Sequence, residues 1–320
     1  MGGGVVTVLM GVYNTTAPML EQAVRSILSQ SYLKQSVRGF EFLILDDGST
    51  LAETRCTLEL AAQADPCIRL VREPHRGLTA TLNHGLQLAQ GSLIARQDAD
   101  DWSEPSRLEQ QMSYYERYPE TVLLGTAALL HQQDGTPLWR VRRPETHVRI
   151  TASFRTGNPF FHGSVMFRKE AALRAGGYRE QMPCSQDYDF FWRLSETGVA
   201  ANLPDVLYHY RHAAGSVSAS RAAEQARAHS AAQVLATARR QGLPEDVEAA
   251  LAQAGENPAG AFRASLRQAD HLMLAGDYPG AARAYWDAAR SRPASAVAWA
   301  KLARWVLFRG VPRSRRVCFW

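Results

Sequence analysis

Continuous apolar runs alternate with helically spaced apolar positions over the first hundred residues. Val5–Met10 is an unbroken run rich in β-branched side chains and bounded by glycines, the pattern of a strand buried on both faces. Over 18–30 (PMLEQAVRSILSQ) Leu20, Ala23, Val24, Ile27 and Leu28 fall on one helical face, and Pro18 suits the first turn. A second strand, Phe40–Leu45, stops at the turn-forming Asp46-Asp47-Gly48-Ser49. Helix 51–63, strand Ile68–Val71, helix 78–90 and strand Ser92–Arg96 complete the series. Such alternation predicts an α/β domain with a largely parallel sheet and helical crossovers. Ligands of these sheets sit beyond the carboxyl ends of the strands. The polar clusters 13–14, 46–49 and 98–101 each follow a predicted strand, so they should meet along one edge.

The pattern then changes. A helix is predicted from Glu104 to Tyr118, and strands over 122–130 and 136–141 surround a turn at Asp134-Gly135. Strand Val165–Phe167, helix Lys169–Ala175 and helix Tyr188–Thr197 follow, the two helices ending at glycines. Beyond about residue 219 alanine dominates and strand signals vanish; helices are predicted over 221–241, 244–253, 260–275, 278–291 and Ala296–Phe308. The last two have the cadence of one tetratricopeptide-like pair, which cannot bury its own face and must pack on the head or on a protein partner. The expected division is a head over 1–218, with halves 1–103 and 104–218, and an all-α extension over 219–320.

Composition is that of a folded globular protein: of 320 residues, 46% are apolar and 21% charged. The net charge of +5 changes meaning once located. Six basic residues and no acid lie from Lys301 onward, leaving 30 basic and 31 acidic groups before it, a net of −1. No nucleic-acid partner is therefore expected; the basic, tryptophan-bearing end suits peripheral contact with an anionic membrane surface, or is simply a solvated helix end. The expected location is cytoplasmic, with peripheral contact at the inner face of the membrane open to that tail. Four cysteines with no metal spacing and no charged leader agree with it. Gly11-Val12-Tyr13-Asn14 after the first strand is no dinucleotide fingerprint, and no GxxxxGK[ST] loop occurs.

Asp98-Ala99-Asp100-Asp101 concentrates three carboxylates at a strand end. Mutual repulsion calls for a cation or a set of donors. A divalent ion such as Mg²⁺ or Mn²⁺ takes one or two carboxylates and completes its shell with water and phosphate oxygens, which suits departure of a nucleoside diphosphate. A solvated turn capping the next helix, helped by Ser103, explains the same residues.

Six segments in order resemble the family 2 glycosyltransferases: VTVLMGVYN (6–14), SILSQSY (26–32), FEFLILDDGST (40–50), HRGLTATLNHGLQLAQGSLIARQDADDW (75–102), HGSVMFRKEAALRAGGY (162–178), and SQDYDFFWRL (185–194) with YHYRHAAGSVS (208–218). The resemblance spans roughly 5–218. It implies the GT-A fold, a nucleotide-sugar half joined to an acceptor half, and inversion at the anomeric carbon. It places Tyr13 and Asn14 on the nucleotide, Asp47, in preference to Asp46, on the uracil edge, and Arg76 facing the nucleotide. Asp98 and Asp100 match the ends of the DxD motif, Asp100 as metal ligand and Asp98 on ribose, donor sugar or metal. Asp101 supports the turn. Arg211 and His212 resemble a loop that closes over the diphosphate, with His212 a phosphate or metal contact.

Asp187 stands at the family's catalytic base. Displacement at an anomeric carbon needs a base opposite the leaving group to deprotonate the acceptor hydroxyl. Gln186 precedes it where an acid is common in the family, which bears on acceptor choice. Asp187 would equally serve as N-cap of helix 188–197, and Asp189 is an alternative base. His162-Gly163 is expected on the acceptor wall and Trp192 is a candidate sugar platform or a core residue. The implied activity is metal-dependent transfer from a UDP-sugar to a glycan or lipid-linked acceptor in cell-surface polysaccharide, lipopolysaccharide or glycan synthesis. A nucleotidyltransferase, or an inactive head that binds partners through its helical tail, are the alternatives.

Overall fold

The computed structural model describes residues 6–35, 39–212, 222–255, 262, 265–266, 269–270, 272–273, 278–308 and 317–319. At its centre β1 (Val6–Val12) lies between β2 (Phe40–Asp46) and β4 (Leu93–Arg96), both parallel to it, and β3 (Ile68–Arg72) extends the parallel set beyond β2. The β-branched, unbroken apolar runs are explained by cover on both faces. Leu9, Leu43, Leu45 and Ile94 point into one core, while Val8, Met10, Phe42 and Ile44 point into the other. Helices α1 (Ala17–Leu28), α2 (Ser31–Gln35), α3 (Ala52–Ala64) and α4 (Leu78–Leu88) accompany these strands.

Past β4 the sheet turns mixed. β8 (Met166–Arg168) is antiparallel to β4, β6 (Thr121–Gln132) is antiparallel to β8, and β7 (Pro137–Arg142) is antiparallel to β6. β9 (Val199–His212) runs parallel to β6 and also pairs with the two-residue β5 (Trp102–Ser103). The sequence pattern missed β9, because Pro204-Asp205 breaks it and the pairing register shifts there, between Thr126 and Ala128 of β6. Residues 208–212 are thus the end of a strand, and 213–218 lie outside the described residues. The helix expected from Glu104 starts later: a turn over 104–106 follows β5, and α5 spans Arg107–Arg117.

Helices α6 (His147–Ser153), α7 (Lys169–Arg174) and α8 (Gln186–Ser195) cover the acceptor half. In the extension, α9 (Ala222–Arg240), α10 (Val247–Gly255), α11 (Tyr278–Ser291) and α12 (Ala296–Phe308) match expected helices. The helix expected over 260–275 lies largely outside the described residues. α9 is no separate module: Ala228, Ala232 and Ala236 are buried in the same core as Phe190, Phe191 and Trp192 of α8. β10 (Val317–Phe319) runs parallel to β7 at the sheet edge. The cationic stretch 309–316 and the side chains from 304 onward lie outside the described residues. Among the described residues no helix is long and apolar enough to cross a membrane.

Candidate active site

The carboxyl ends of β1, β2 and β4 carry the three polar clusters to one edge. Asn14 takes a left-handed backbone (φ 50°), which turns its side chain onto the β2 turn. Its Oδ1 accepts from the amides of Thr50 (2.8 Å) and Leu51 (3.0 Å), so Asn14 ties the two strand ends together. Asp46 accepts the Ser49 amide at 2.9 Å and shapes the turn. Asp47 accepts the amides of Arg76 (2.7 Å) and Gly77 (2.9 Å) and faces His75 Nδ1 at 2.9 Å, which fastens the loop after β3 to the end of β2. Each carboxylate oxygen retains acceptor capacity beyond these bonds. Tyr13 is half exposed and stacks on His75, with ring centroids 4.0 Å apart. Arg76, also half exposed, reaches back to Glu73 at 2.9 Å.

The three acids after β4 have three different fates. Arg96 is fully buried and donates to Asp98 Oδ1 at 2.6 Å, while Asp98 itself is partly exposed and its Oδ2 lies against Gly163. Asp100 has its surface open to solvent. The protein packed around it and the neighbouring Asp98 raise its carboxyl to about 6, with Arg211 opposing the shift. Asp101 is buried and accepts from the Arg211 amide (2.6 Å) and the Tyr208 hydroxyl (2.8 Å). Asp101 therefore pins β9 to the acidic turn, and burial with two acidic neighbours holds its carboxyl well above the usual range. Arg211 lies over the Trp102 ring at 5.1 Å, and that ring stacks on His209. His212 is buried at the end of β9.

These donors fit a hard divalent cation. Asp98 and Asp100 offer carboxylate oxygens two residues apart, and a cation would relieve the smaller part of the Asp100 shift, that due to Asp98. Among the described residues no cluster of three His, Cys, Asp or Glu side chains is gathered for a metal. Phosphate and water oxygens would complete the shell.

Across the cleft, Asp187 lies in the first turn of α8. The N-cap is Ser185, itself left-handed (φ 56°), so the reading of Asp187 as N-cap is corrected: the helix begins two residues earlier. The Asp187 carboxylate accepts from Asn158 Nδ2 at 2.8 Å, and Asn158 Oδ1 is fixed in turn by the Phe160 amide at 3.1 Å. Asp189 faces the opposite way, buried between Arg193 (2.7 Å) and Arg179 (3.2 Å), which removes it as an alternative base. Trp192 is a core residue and no sugar platform: it is buried and stacks on Phe154.

His162 and Tyr178 bridge the two acidic sides. His162 Nε2 lies 3.1 Å from the Tyr178 hydroxyl and 3.4 Å from Arg96 Nε. Burial and Arg96 hold the imidazole below its usual range, while Asp98 and Asp187 both pull it upward, so both carboxylates lie within electrostatic reach. Beside it, a Cβ on Gly163 would stand 1.7 Å from the Tyr208 hydroxyl and 2.7 Å from Asp98 Oδ2. Gly163→Ala is expected to destabilise the fold by about 3 kcal/mol through overpacking, read as a lowered thermal midpoint.

Sequence reasoning missed Asn158, Arg96 and Tyr208, each of which holds a site acid in place. Their signal is weak because the pairs Asn158–Asp187 and Tyr208–Asp101 are long-range and no local spacing marks them.

Known proteins show related chains. The model of the family described as glycosyl transferase family 2 matches residues 7–177. EpsE of Bacillus subtilis, whose name describes a glycosyltransferase, is 35% identical over 213 residues, 65% of this chain and 73% of its own length. The amylovoran biosynthesis glycosyltransferase AmsE of Erwinia amylovora is 32% identical over 217 residues, 67% and 79% of the two chains. Among solved structures, a mannosyltransferase of Pyrobaculum calidifontis in complex with GDP-Man and Mn²⁺ superposes with a TM-score of 0.57 at 21% identity, over 95% of this chain and 80% of that one. S. aureus TarS 1–349 in complex with UDP-GlcNAc gives 0.57 at 16% identity, over 84% and 81%. At such identities the likeness establishes the fold, GT-A.

Proposed function

Because the chain belongs to glycosyl transferase family 2 and is a glycosyltransferase of GT-A fold, we propose that it transfers a sugar from a UDP-sugar, with inversion, to a hydroxyl of a cell-surface polysaccharide, lipopolysaccharide or other glycan acceptor. The observation that carries this reading is that Asp98, 4.0 Å from His162 Nδ1, and Asp187 both act electrostatically on the His162–Tyr178 pair.

In this reading Tyr13 and Asp47 receive the base, with Asn14 and Arg76 holding the strand ends and loop that frame it. Asp98 and Asp100 hold a divalent cation, and Asp98 alternatively meets the ribose or donor sugar. When bound, that cation offsets the charge developing on the departing diphosphate. Arg211, held at the acidic turn by Asp101, adds a second positive group there. Asp187 takes the proton from the acceptor hydroxyl as that oxygen attacks the anomeric carbon from the far face. Asn158 orients the Asp187 carboxylate toward that role. The polysaccharide assignment leans on the relatives, AmsE being named for amylovoran biosynthesis.

Incubation with Mn²⁺ and a panel of UDP-sugars, following UDP release, tests the proposal. Release with at least one donor is expected. A chelator should reduce it to background and added Mn²⁺ should restore it. Absence of both release and nucleotide binding with every donor would leave the inactive, partner-binding head as the better reading.

A further inference from the structure

The His162 ring has one nitrogen engaged from behind and one left open. Arg96 is fully buried, and a guanidinium has N–H donors but no lone pair. Its Nη1 donates to the carbonyls of Leu9 (2.5 Å) and Gln97 (3.0 Å), and its Nη2 to Asp98 Oδ1 (2.6 Å). Its Nε donates to His162 Nε2 at 3.4 Å. His162 Nε2 is therefore the acceptor nitrogen, and the Tyr178 hydroxyl meets the same atom at 3.1 Å. The proton of the imidazole then sits on Nδ1. Nδ1 lies 4.0 Å from Asp98 Oδ1, beyond hydrogen-bond reach, and has no acceptor among the described residues. The side chain keeps 13% of its surface, and Nδ1 is not sealed from solvent.

A second proton on this ring would set Nε2–H against the Arg96 N–H, so Arg96 fixes the tautomer. The same guanidinium holds Asp98 Oδ1, which keeps a lone pair beyond that bond. One open donor and one open acceptor thus stand 4.0 Å apart, both anchored to one buried arginine. An oxygen about 2.8 Å from each, an ordinary hydrogen-bond length, spans that gap. A hydroxyl satisfies both sides, accepting from Nδ1–H and donating to the carboxylate. An ether oxygen or a carboxylate can only accept, and an ammonium can only donate. The position bears on whose hydroxyl it is. Asp98 belongs to the acidic turn that meets the donor in the proposed reaction, and Asp187, its base, also acts electrostatically on the His162 ring.

We propose that His162 determines donor specificity: its Nδ1–H and the Asp98 carboxylate together grip one hydroxyl of the sugar being transferred. The donor then carries a free hydroxyl at that carbon, and a deoxy or O-substituted sugar is disfavoured. This deepens the transferase reading and rests on it. It adopts the donor-sugar role for Asp98 and moves His162 from the acceptor wall to the donor. Arg96 becomes a positioning residue, since it aims both halves of the grip.

Glutamine and asparagine divide the imidazole between them. His162→Gln carries its amide near the Nε2 position, keeping an acceptor for Arg96 and losing the donor at Nδ1; His162→Asn does the reverse. The test is calorimetric titration of the full-length protein with Mg²⁺, using UDP, the tightest-binding UDP-sugar of the panel, and the monodeoxy analogues of that sugar. Wild type should bind one analogue about tenfold more weakly than the parent, the scale of one lost hydrogen bond. His162→Gln should weaken the parent by about the same factor and leave that analogue and UDP unchanged. His162→Asn should retain the discrimination at a lower thermal midpoint, because the buried Arg96 Nε loses its acceptor, which separates recognition from folding. Equal binding of every analogue to wild type, or equal weakening of parent and analogue in His162→Gln, overturns the proposal. So does a parallel loss of UDP affinity, which would assign His162 to the nucleotide. Failure of the wild type to bind UDP or any UDP-sugar would instead sink the transferase reading and the proposal with it.

Discussion

Asp187→Asn is expected to lower sugar transfer by about 10²- to 10⁴-fold, the usual contribution of a positioned general base, with UDP affinity unchanged. The substitution keeps the shape of the side chain and an oxygen that can still accept from Asn158, so the turn that opens α8 should hold. What is lost is the capacity to take a proton from the attacking hydroxyl. In the proposed reading the nucleotide is held instead by Tyr13, Asp47 and the acidic turn, which the substitution does not touch. Single-turnover transfer with the best donor from the screen, alongside a UDP titration, measures both. Full transfer activity in the variant would place the base elsewhere.

Two residues along the same helix, Asp189→Asn should have the reverse profile. Asp189 is buried and accepts from Arg193 twice, at 2.7 and 3.0 Å, and from Arg179 at 3.2 Å. Neutralising one member of a buried ionic group leaves the others uncompensated, typically at a cost of 3–5 kcal/mol, about 4 here. In a domain of this size that lowers the thermal midpoint by roughly 10 °C. The loss spreads beyond α8, because Arg179 also bonds Glu245, which Arg239 of α9 holds from the other side. Thermal unfolding followed by circular dichroism reads the shift. Below the lowered midpoint, turnover by the folded fraction should stay within about threefold of wild type, since no reacting group has changed. A midpoint unchanged within error would show that the arginines find other partners. The two variants thus separate chemistry from stability in one short stretch of sequence.

The first half was legible because its strands are buried on both faces and therefore read as largely apolar runs, broken only by buried polar residues such as Thr7 and Glu41. From the expected strands Val5–Met10, Phe40–Leu45 and Ser92–Arg96 alone, the rule for ligand position brought residues 13–14, 46–49 and 98–101 to one edge, where the structure has them. Composition could not separate the three acids of the turn. Asp98, Asp100 and Asp101 look alike in sequence and differ only through distant residues: Arg96 meets the first, Tyr208 and the Arg211 amide meet the last, and the middle one faces the cleft. The same holds on α8, where Asp187 and Asp189 are told apart by Asn158 and Arg179. β9 was hidden for another reason. Its outer register is irregular around Pro204-Asp205, so neither a period of two nor a continuous apolar run survives.

The alanines of α9 carry a practical consequence for anyone who works with part of this chain. Similarity to the family model ends at residue 177, and the described part of the catalytic sheet ends, apart from its short edge strand, at His212. Cutting there would look natural on an alignment. Yet Ala228, Ala232 and Ala236 seal the core behind Phe190, Phe191 and Trp192, and His229 stacks on Tyr188 at 3.8 Å, next to Asp187 in the first turn of α8. A fragment trimmed at that point would meet water with an open aromatic seam, and would be sticky in solution before it was inactive in any assay.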